Sequence, residues 1–164
     1  KAGDGWRWAD PREMEAGAAE RAVLVASQIP ERARILDLGA GLIKVVLRMK
    51  LGAVYTPVDL VRHADATVLA DLNDNQFPDG NWDCALALEL LEHIHDVPAL
   101  LSRIWAAVGT FICTYCGSGD AQARRAAGYF NDFSRSDIER LLDAGGWSVE
   151  TVEDHGAHTL FVCR

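Results

Sequence analysis

The most informative segment of the chain is a short apolar run that ends in an acid and two glycines. Residues 33–38 are apolar apart from Arg34 and Asp37, which is typical of a buried parallel strand. Gly39 and Gly41 follow directly, and glycine both permits a tight turn and lets a ligand approach the main chain without a Cβ in the way. Such glycines also occur in purely structural turns between a strand and a helix, so this segment alone leaves both interpretations open.

The rest of the sequence alternates between strand-like and helix-like patterns. Apolar runs predict strands over residues 33–38, 53–58, 67–70, 83–88, 108–116, 147–152 and 159–163. Helical spacing predicts helices over residues 12–28, 43–51, 97–107 and 134–144, with Asp96 and Ser134 as the caps of the last two. Between these elements we predict at most a short helix over 60–66, a loop over 73–81, a mobile connection over 117–128 and a loop over 153–158.

This alternation predicts an α/β fold with a doubly wound, mostly parallel sheet. The two consecutive strands at the end of the chain predict an antiparallel edge strand. With 164 residues, of which 49% are apolar, the chain suits a single domain. We assign residues 1–30 to an N-terminal arm and helix and residues 31–164 to the core. Ligands of such sheets bind at the carboxyl ends of the strands, so functional residues are expected there.

The charge balance narrows the range of partners. The chain has 24 acidic and 16 basic residues, a formal net charge of −8, which argues against a nucleic acid as the main partner because phosphates need a basic surface. No apolar stretch approaches the roughly 20 residues that span a bilayer, and the first residues lack the pattern of a signal peptide. We therefore expect a soluble, cytoplasmic protein without membrane contact. The sequence does not indicate an oligomeric state.

Cysteine and histidine patterns do not favour a metal or redox site. All four cysteines lie in or beside predicted strands, where buried, reduced cysteines are common. Cys113 and Cys116 form a C-x-x-C pattern, but residues three apart in a strand point to opposite faces. His93 and His95 lie between a predicted strand and a predicted helix, where their relative orientation is undecided. We predict no metal.

Acids close the second and third predicted strands as well as the first. Asp59 ends the second strand and Asp71 the third. Because the carboxyl ends of parallel strands meet at one edge of the sheet, we expect these acids on the ligand side. A carboxylate after the second strand can accept hydrogen bonds from both hydroxyls of a ribose. Three acids at consecutive strand ends therefore favour a ligand site over solvated strand termini.

Four segments together resemble a known family. They are ILDLGAGL at residues 35–42, TPVDL at 56–60, ADLND at 70–74 and WDCALALELLEHIHD at 82–96. They resemble the class I S-adenosylmethionine-dependent methyltransferases, in particular the small-molecule branch with a V-L-E-H-like segment after the fourth strand. The resemblance implies a Rossmann-like fold, S-adenosylmethionine as cofactor, and methyl transfer to an unidentified, small-molecule acceptor. The chain differs from many members at Ile43, where they carry a third glycine.

The resemblance also implies where the cofactor lies. In that family the glycine turn holds the methionine portion, and the acid after the second strand holds the ribose with the next residue against adenine. The acid after the third strand meets the adenine amino group, and the residues after the fourth strand line the methionine portion. The residues implied here are Asp37, Gly39, Ala40, Gly41, Asp59, Leu60, Asp71, Leu72, Leu88 and Glu89. Carboxylates in this pocket suit a cofactor that carries a sulfonium and an ammonium.

The sequence assigns no catalytic residue. A base is needed only if the acceptor must lose a proton, as a hydroxyl does. The residues near strand ends that have suitable chemistry are His93, His95, Tyr115, Asp132 and His155.

Two other functions are consistent with part of the pattern. A nicotinamide-dependent oxidoreductase also uses glycines and a ribose-binding acid, but its fingerprint needs a glycine where Lys44 stands and does not include Asp37. A catalytically silent methyltransferase-like domain that binds or scaffolds a partner is the second alternative.

Overall fold

The computed structural model describes residues 18–42, 52–117, 119–126 and 128–164. The described residues form a seven-stranded sheet with helices on both faces. The strands are β1 (Arg34–Leu38), β2 (Val54–Asp59), β3 (Val68–Leu69), β4 (Cys84–Leu88), β5 (Thr110–Cys116), β6 (Val149–His155) and β7 (His158–Cys163). The helices are α1 (Ala18–Gln28), α2 (Val97–Ala107), α3 (Ala121–Ala126) and α4 (Arg135–Ala144), and short 3-10 turns cover Leu72–Asp74 and Leu91–His93.

The sheet has the strand order β3-β2-β1-β4-β5-β7-β6. The first five strands are parallel, whereas β7 is antiparallel to both of its neighbours, β5 and β6. The predicted doubly wound sheet with an antiparallel strand at one side is confirmed. The order reverses at β1, because β2 lies on one side of it and β4 on the other. A ligand groove is expected at the carboxyl ends of these three strands.

Apolar side chains alternate along the strands between two cores. On one face, Val25 and Ile29 of α1 pack with Ile35, Leu86 and Ile112. On the other face, the residues of α2 and α4 pack against the remaining strand positions, including Leu36, Ala85, Phe111 and Phe161. Both faces of the central strands are therefore covered, which explains why β1, β4 and β5 are apolar without a strict alternation.

Two helix starts agree with the predicted caps. The Asp96 side chain accepts a hydrogen bond from the Ala99 amide, and α2 covers Val97–Ala107 as predicted. Ser134 forms a reciprocal capping box with Asp137 at the start of α4. Both caps satisfy amide groups that have no partner within the helix, which is why these boundaries are visible in the sequence.

Two predicted connections are wrong, and a third contains a helix that was not predicted. Residues 60–66 form bends and a turn, because Asp59 and Thr67 side chains accept the Val61 and Ala64 amides and so replace helical hydrogen bonds. The 117–128 connection contains α3, which is capped by the Asp120 carboxylate. The predicted loop over residues 153–158 shrinks to two residues, because β6 extends to His155 and β7 begins at His158.

Several predictions fall wholly or partly outside the described residues. The arm and the first part of the first predicted helix, residues 1–17, lie outside them, as does the predicted helix over 43–51 with Ile43. The remainder of the first helix is α1. In the described part of the chain, the helices are too short or too polar to cross a membrane.

Candidate cofactor site

The glycine turn after β1 is tied to the end of β2. Gly39 and Gly41 have φ angles of +68° and +48°, a region that favours glycine. The Gly41 amide donates to Asp59 Oδ2 at 2.8 Å, and the Ala40 amide donates to the Val58 carbonyl at 3.0 Å. The sequence therefore correctly predicts that the glycines and Asp59 meet at one edge of the sheet.

The two glycines have different surroundings. A Cβ atom at Gly39 would lie 3.0 Å from the Leu90 side chain, so this part of the turn packs against the segment after β4. Within the part of the chain that the structure describes, the nearest atom to a Cβ at Gly41 would be the Gly39 carbonyl oxygen, at 4.0 Å. The turn is thus packed at Gly39 against the segment that follows β4.

Asp59 is close to buried, with its side chain 11% exposed. Its Oδ2 accepts from Gly41 and its Oδ1 accepts from the Val61 amide at 3.1 Å. Each carboxylate oxygen has a second lone pair, so the carboxylate holds the turn and retains acceptor capacity for two hydroxyls. Leu60, the next residue, is 43% exposed, which places an apolar surface beside this carboxylate.

Asp37 is buried at the start of the turn. Its side chain is 2% exposed and accepts a hydrogen bond from the Tyr55 hydroxyl of β2. Burial, together with the Asp37 charge, raises the pKa of Tyr55 far above its usual value, so the phenol keeps its proton and remains a donor. The buried pair supports the start of the turn from the face that α1 covers.

Asp71 and Leu72 begin the 3-10 turn after β3. Asp71 Oδ1 accepts from the Asn73 amide at 2.9 Å and so caps that turn. The Ala70 amide donates to the Asp59 carbonyl at 3.1 Å, which joins the ends of β2 and β3. Leu72 is half-buried against the core. The capping role alone is sufficient to explain an acid at position 71. Contact between Asp71 and a ligand stays a prediction.

Leu88 is the last residue of β4, and Glu89 follows it. Leu88 is half-buried and packs on the α1 side of the sheet. The Glu89 amide donates to both oxygens of Thr114, at 3.3 Å to the carbonyl and 3.0 Å to the hydroxyl. Glu89 Oε1 lies 2.9 Å from Nε2 of His158 at the start of β7.

Three of the five suggested bases form contacts that join separate segments of the chain. The Tyr115 hydroxyl is buried and accepts hydrogen bonds from Arg124 at 2.8 Å and from the Phe133 amide at 2.9 Å. Asp132 is exposed and pairs with Arg124 at 3.0 Å. His93 Nδ1 lies 3.1 Å from the Gly128 carbonyl, and burial lowers the pKa of His93, which keeps the ring neutral near pH 7.

The other two suggested bases are exposed. The His95 ring lies 4.1 Å from the Phe130 ring, centroid to centroid, and His155 pairs with Glu153 at 3.2 Å. Across the described part of the chain, histidine, cysteine and acidic side chains form no group of three or more that has metal-binding geometry. The four cysteines are buried without a disulfide. Cys113 packs in the core on the α2 side, whereas Cys116 does not, in agreement with the opposite orientations predicted for them.

Three buried polar residues of this region were not predicted from the sequence. They are Glu92, Arg124 and His158, each at most 3% exposed. Glu92 accepts from the Cys116 amide, and Arg124 donates to the Cys116 carbonyl, so the last residue of β5 is held at both of its polar atoms. No local pattern marks these residues, because their partners are distant in sequence.

Comparison with known proteins agrees with this geometry. Residues 11–152 match a family model described as a methyltransferase domain. The chain matches no curated protein significantly.

Among solved structures, an S-adenosylmethionine-dependent methyltransferase from Mesorhizobium loti has a TM-score of 0.69 and 19% identity, over 90% of this chain and 98% of that one. The methyltransferase solved with the Trm112 activator of Haloferax volcanii has a TM-score of 0.71 and 16% identity, over 96% and 95%. The N-terminal domain of EvdMO1, solved in the presence of SAH and D-fucose, has a TM-score of 0.60 and 17% identity, over 91% and 82%.

Proposed function

The chain belongs to the methyltransferase family whose model matches residues 11–152, and on that premise we propose that it transfers a methyl group from S-adenosylmethionine to a small-molecule acceptor. S-adenosylmethionine is the cofactor that membership of this family implies. We assign the activity to one domain that comprises residues 1–164. The cofactor lies across the carboxyl ends of β1, β2 and β4 in this proposal.

The observation that carries the proposal is the hydrogen bond between the Gly41 amide and Asp59 Oδ2, at 2.8 Å. It joins the glycine turn after β1 to the acid after β2 at the point where the strand order reverses. The main chain of Gly41 and the exposed Leu60 then both adjoin one carboxylate. A sugar hydroxyl, an apolar base and a polar tail fit such an arrangement.

The proposed contacts of the cofactor follow from this placement. Leu60 and Leu72 supply apolar surface for adenine, and Asp59 binds the ribose hydroxyls. The main chain of Gly39, Ala40 and Gly41 adjoins the methionine portion, and Asp37 supports the start of the turn that they form. The full set is Asp37, Gly39, Ala40, Gly41, Asp59, Leu60, Asp71, Leu72, Leu88 and Glu89.

Methyl transfer depends mainly on how the cofactor and the acceptor are oriented towards each other. S-adenosylmethionine supplies a methyl carbon that its positive sulfonium already activates for displacement. Holding an acceptor in line with that carbon removes an entropic barrier of as much as about 7 to 11 kcal/mol. The residues of this chain therefore contribute chiefly by fixing positions and excluding water.

A small-molecule acceptor is supported by the space beyond β5. A cleft of about 420 Å³ lies there, lined in part by Tyr115, Gly117, Ser134 and Phe161. Clefts of this size suit small ligands. The related EvdMO1 domain was solved with D-fucose, a molecule whose reactive groups are hydroxyls. We propose a hydroxyl-bearing acceptor of similar size for this chain.

Calorimetric titration of the full chain with S-adenosylmethionine and with S-adenosylhomocysteine tests the proposal. We expect both to bind, with a Kd on the order of micromolar for the first. Asp59→Ala removes an acceptor for two hydroxyls and is expected to weaken binding roughly ten- to hundredfold. Asp83→Ala, which changes an exposed acid at the opposite end of the strands, is the matched control and should leave the Kd unchanged.

Two results would contradict the proposal. Unchanged affinity in Asp59→Ala would remove the ribose assignment. A folded wild-type chain that binds neither ligand would favour the alternative of a catalytically silent domain that binds or scaffolds a partner.

A further inference from the structure

The glycine turn after β1 is tied to β2 at both of its ends. At the end of the turn, the Gly41 amide donates to Asp59 Oδ2 at 2.8 Å. At its start, the Tyr55 hydroxyl donates to the Asp37 carboxylate. Tyr55 and Asp59 are four positions apart in β2, so the alternation of side chains along a strand directs both to the same face. One strand therefore holds the turn from both sides.

The hydrogen bond at the start of the turn lies inside the protein. Asp37 is 2% exposed, and Tyr55 is half-buried against the core on the α1 side. Burial, with the Asp37 charge in addition, raises the pKa of Tyr55, so the hydroxyl keeps its proton and stays a donor. Water competes little for a bond in this place. The bond therefore constrains the Asp37 side chain more than an exposed bond would.

The stability of the fold does not by itself require a polar pair here. A hydroxyl and a carboxyl group that leave water each lose free energy of hydration, which their hydrogen bond returns only in part. Two apolar side chains of the same shape can be about as stable. The residues around the pair on this side of the sheet are apolar, among them Ile35 and Leu86. A polar pair at this place therefore indicates a role in the position of the turn.

We propose that Tyr55 is a positioning residue that acts through Asp37 and sets the distance between the glycine turn and Asp59. The inference rests on the proposed function, in which the turn adjoins the methionine portion of the cofactor and Asp59 binds its ribose. An error in that distance weakens the binding of a ligand that must reach both places. A ligand that reaches only Asp59 is not affected. Tyr55 thus contributes to cofactor affinity without contact with the cofactor.

The test measures the affinity of the full chain for two probes. One is S-adenosylhomocysteine, and the other is adenosine, which lacks the amino-acid portion. Calorimetric titration gives the Kd of the first probe, and displacement of that probe gives the Kd of adenosine. Tyr55→Phe removes the hydroxyl and keeps the ring. We expect it to weaken the binding of S-adenosylhomocysteine about three- to tenfold and to leave the Kd of adenosine unchanged.

Thr56→Val is the matched control. Thr56 is the next residue of β2, and its hydroxyl accepts a hydrogen bond from Trp82 Nε1 at 3.2 Å. Trp82 belongs to the core on the α2 side, so the variant removes one hydrogen bond from the opposite face of the same strand. We expect a lower melting temperature and an unchanged Kd for both probes. The control therefore separates a loss of stability from a loss of affinity.

A second background keeps the test valid if a thermal melt shows that Tyr55→Phe is unfolded. Asp37→Asn removes the charge at position 37 but keeps an oxygen that can accept from the Tyr55 hydroxyl. In that background, Tyr55→Phe deprives no buried carboxylate of a donor, so the double variant folds more readily than the single one. The loss of affinity for S-adenosylhomocysteine, relative to Asp37→Asn alone, is expected to be the same three- to tenfold.

The possible outcomes are distinct. If wild type binds S-adenosylhomocysteine and the folded variant without the Tyr55 hydroxyl binds it equally well, the inference is wrong while the proposed function stands. If that variant weakens the binding of both probes by the same factor, or if Thr56→Val weakens the binding of S-adenosylhomocysteine as much, Tyr55 does not position the turn and the inference is again wrong. If wild type binds neither probe, the proposed function fails and this inference fails with it.

Discussion

The two ends of the parallel strands carry similar charged residues in opposite environments. At the amino ends, Arg34 and Asp83 form an ion pair at 2.9 Å in which both side chains are nearly half exposed. At the carboxyl ends, Glu92 and Arg124 are 0% and 3% exposed and bond to the main chain of β5. Water competes for the hydrogen bonds of the exposed pair and much less for those of Glu92 and Arg124, so the buried hydrogen bonds contribute more to stability.

The buried residues Glu92 and Arg124 belong to a network of hydrogen bonds at the border of the proposed site. Arg124 also donates to the Tyr115 hydroxyl and the Asn131 carbonyl. The Asn131 side-chain amide donates to the Leu91 and Ile94 carbonyls, both at 2.7 Å. Residues 91–95 and 128–133 are thus joined by polar contacts at the carboxyl ends of β4 and β5. A reaction that depends on orientation needs rigid borders of this kind.

Arg124→Met is expected to have the largest effect on stability. The methionine fills part of the volume but leaves the Cys116 carbonyl, the Asn131 carbonyl and the Tyr115 hydroxyl without their buried donor. We expect the free energy of unfolding to fall by about 3 kcal/mol, measured by urea denaturation. Arg125→Met changes the exposed neighbour in the same helix and should be close to neutral. An equal loss of unfolding free energy in the two variants would show that the burial of Arg124 does not make it more important for stability than Arg125.

Glu92→Gln is expected to have an effect that depends on pH. Burial raises the pKa of Glu92 from 4.5 to about 7, so between these values the folded protein holds a proton that the unfolded chain releases. The stability that Glu92 contributes is therefore present below pH 4.5 and is lost as the pH rises through about 7. The amide of glutamine does not ionise. The free energy of unfolding of the variant, relative to that of wild type, should therefore rise by up to about 3 kcal/mol as the pH rises across this interval.

The measurement for Glu92→Gln is urea denaturation of both proteins at several pH values. Glu153→Gln is the control, since that side chain is 41% exposed. A stability difference between wild type and Glu92→Gln that stays constant with pH would contradict the protonation of Glu92 in the folded state.

Local signals account for the parts of the fold that the sequence predicts well. Asp96 and Ser134 accept amides of the helices that they precede, and both caps act within three residues. The glycine turn and Asp59 were placed together because each follows a strand, and parallel strands end at one edge. The missed helix α3 also has a local signal, the Asp120 cap, which the small and basic composition around it obscured.

The unpredicted part of the site depends on contacts between distant residues. The sequence pattern predicts a loop at His158, because the polar residues on both sides of Gly156 and Ala157 are typical of a long loop. In the structure, the turn between β6 and β7 consists of Gly156 and Ala157 alone. Its partner Glu89 follows another strand, β4, so no pattern of spacing links them. Burial distinguishes His158 from His155, and burial follows from the assembled sheet rather than from either residue's neighbours.

Asp83→Asn is expected to have the smallest effect, although the Asp83 carboxylate accepts three hydrogen bonds. Asp83 accepts from the Arg34 amide at 2.7 Å and from its guanidinium at 2.9 and 3.2 Å, and these bonds lower the pKa of Asp83 to about 2. Any stability that it adds is present above its ordinary pKa of 3.8 and is lost as the pH falls towards 2. Because both side chains are solvated, we expect the urea midpoint at neutral pH to shift by no more than the scatter between repeats. The shift should be smaller again in high salt, which screens the ion pair. A loss comparable to that of Arg124→Met would mean that the amino ends of the strands are as dependent on polar contacts as the carboxyl ends, and the contrast between them would not hold.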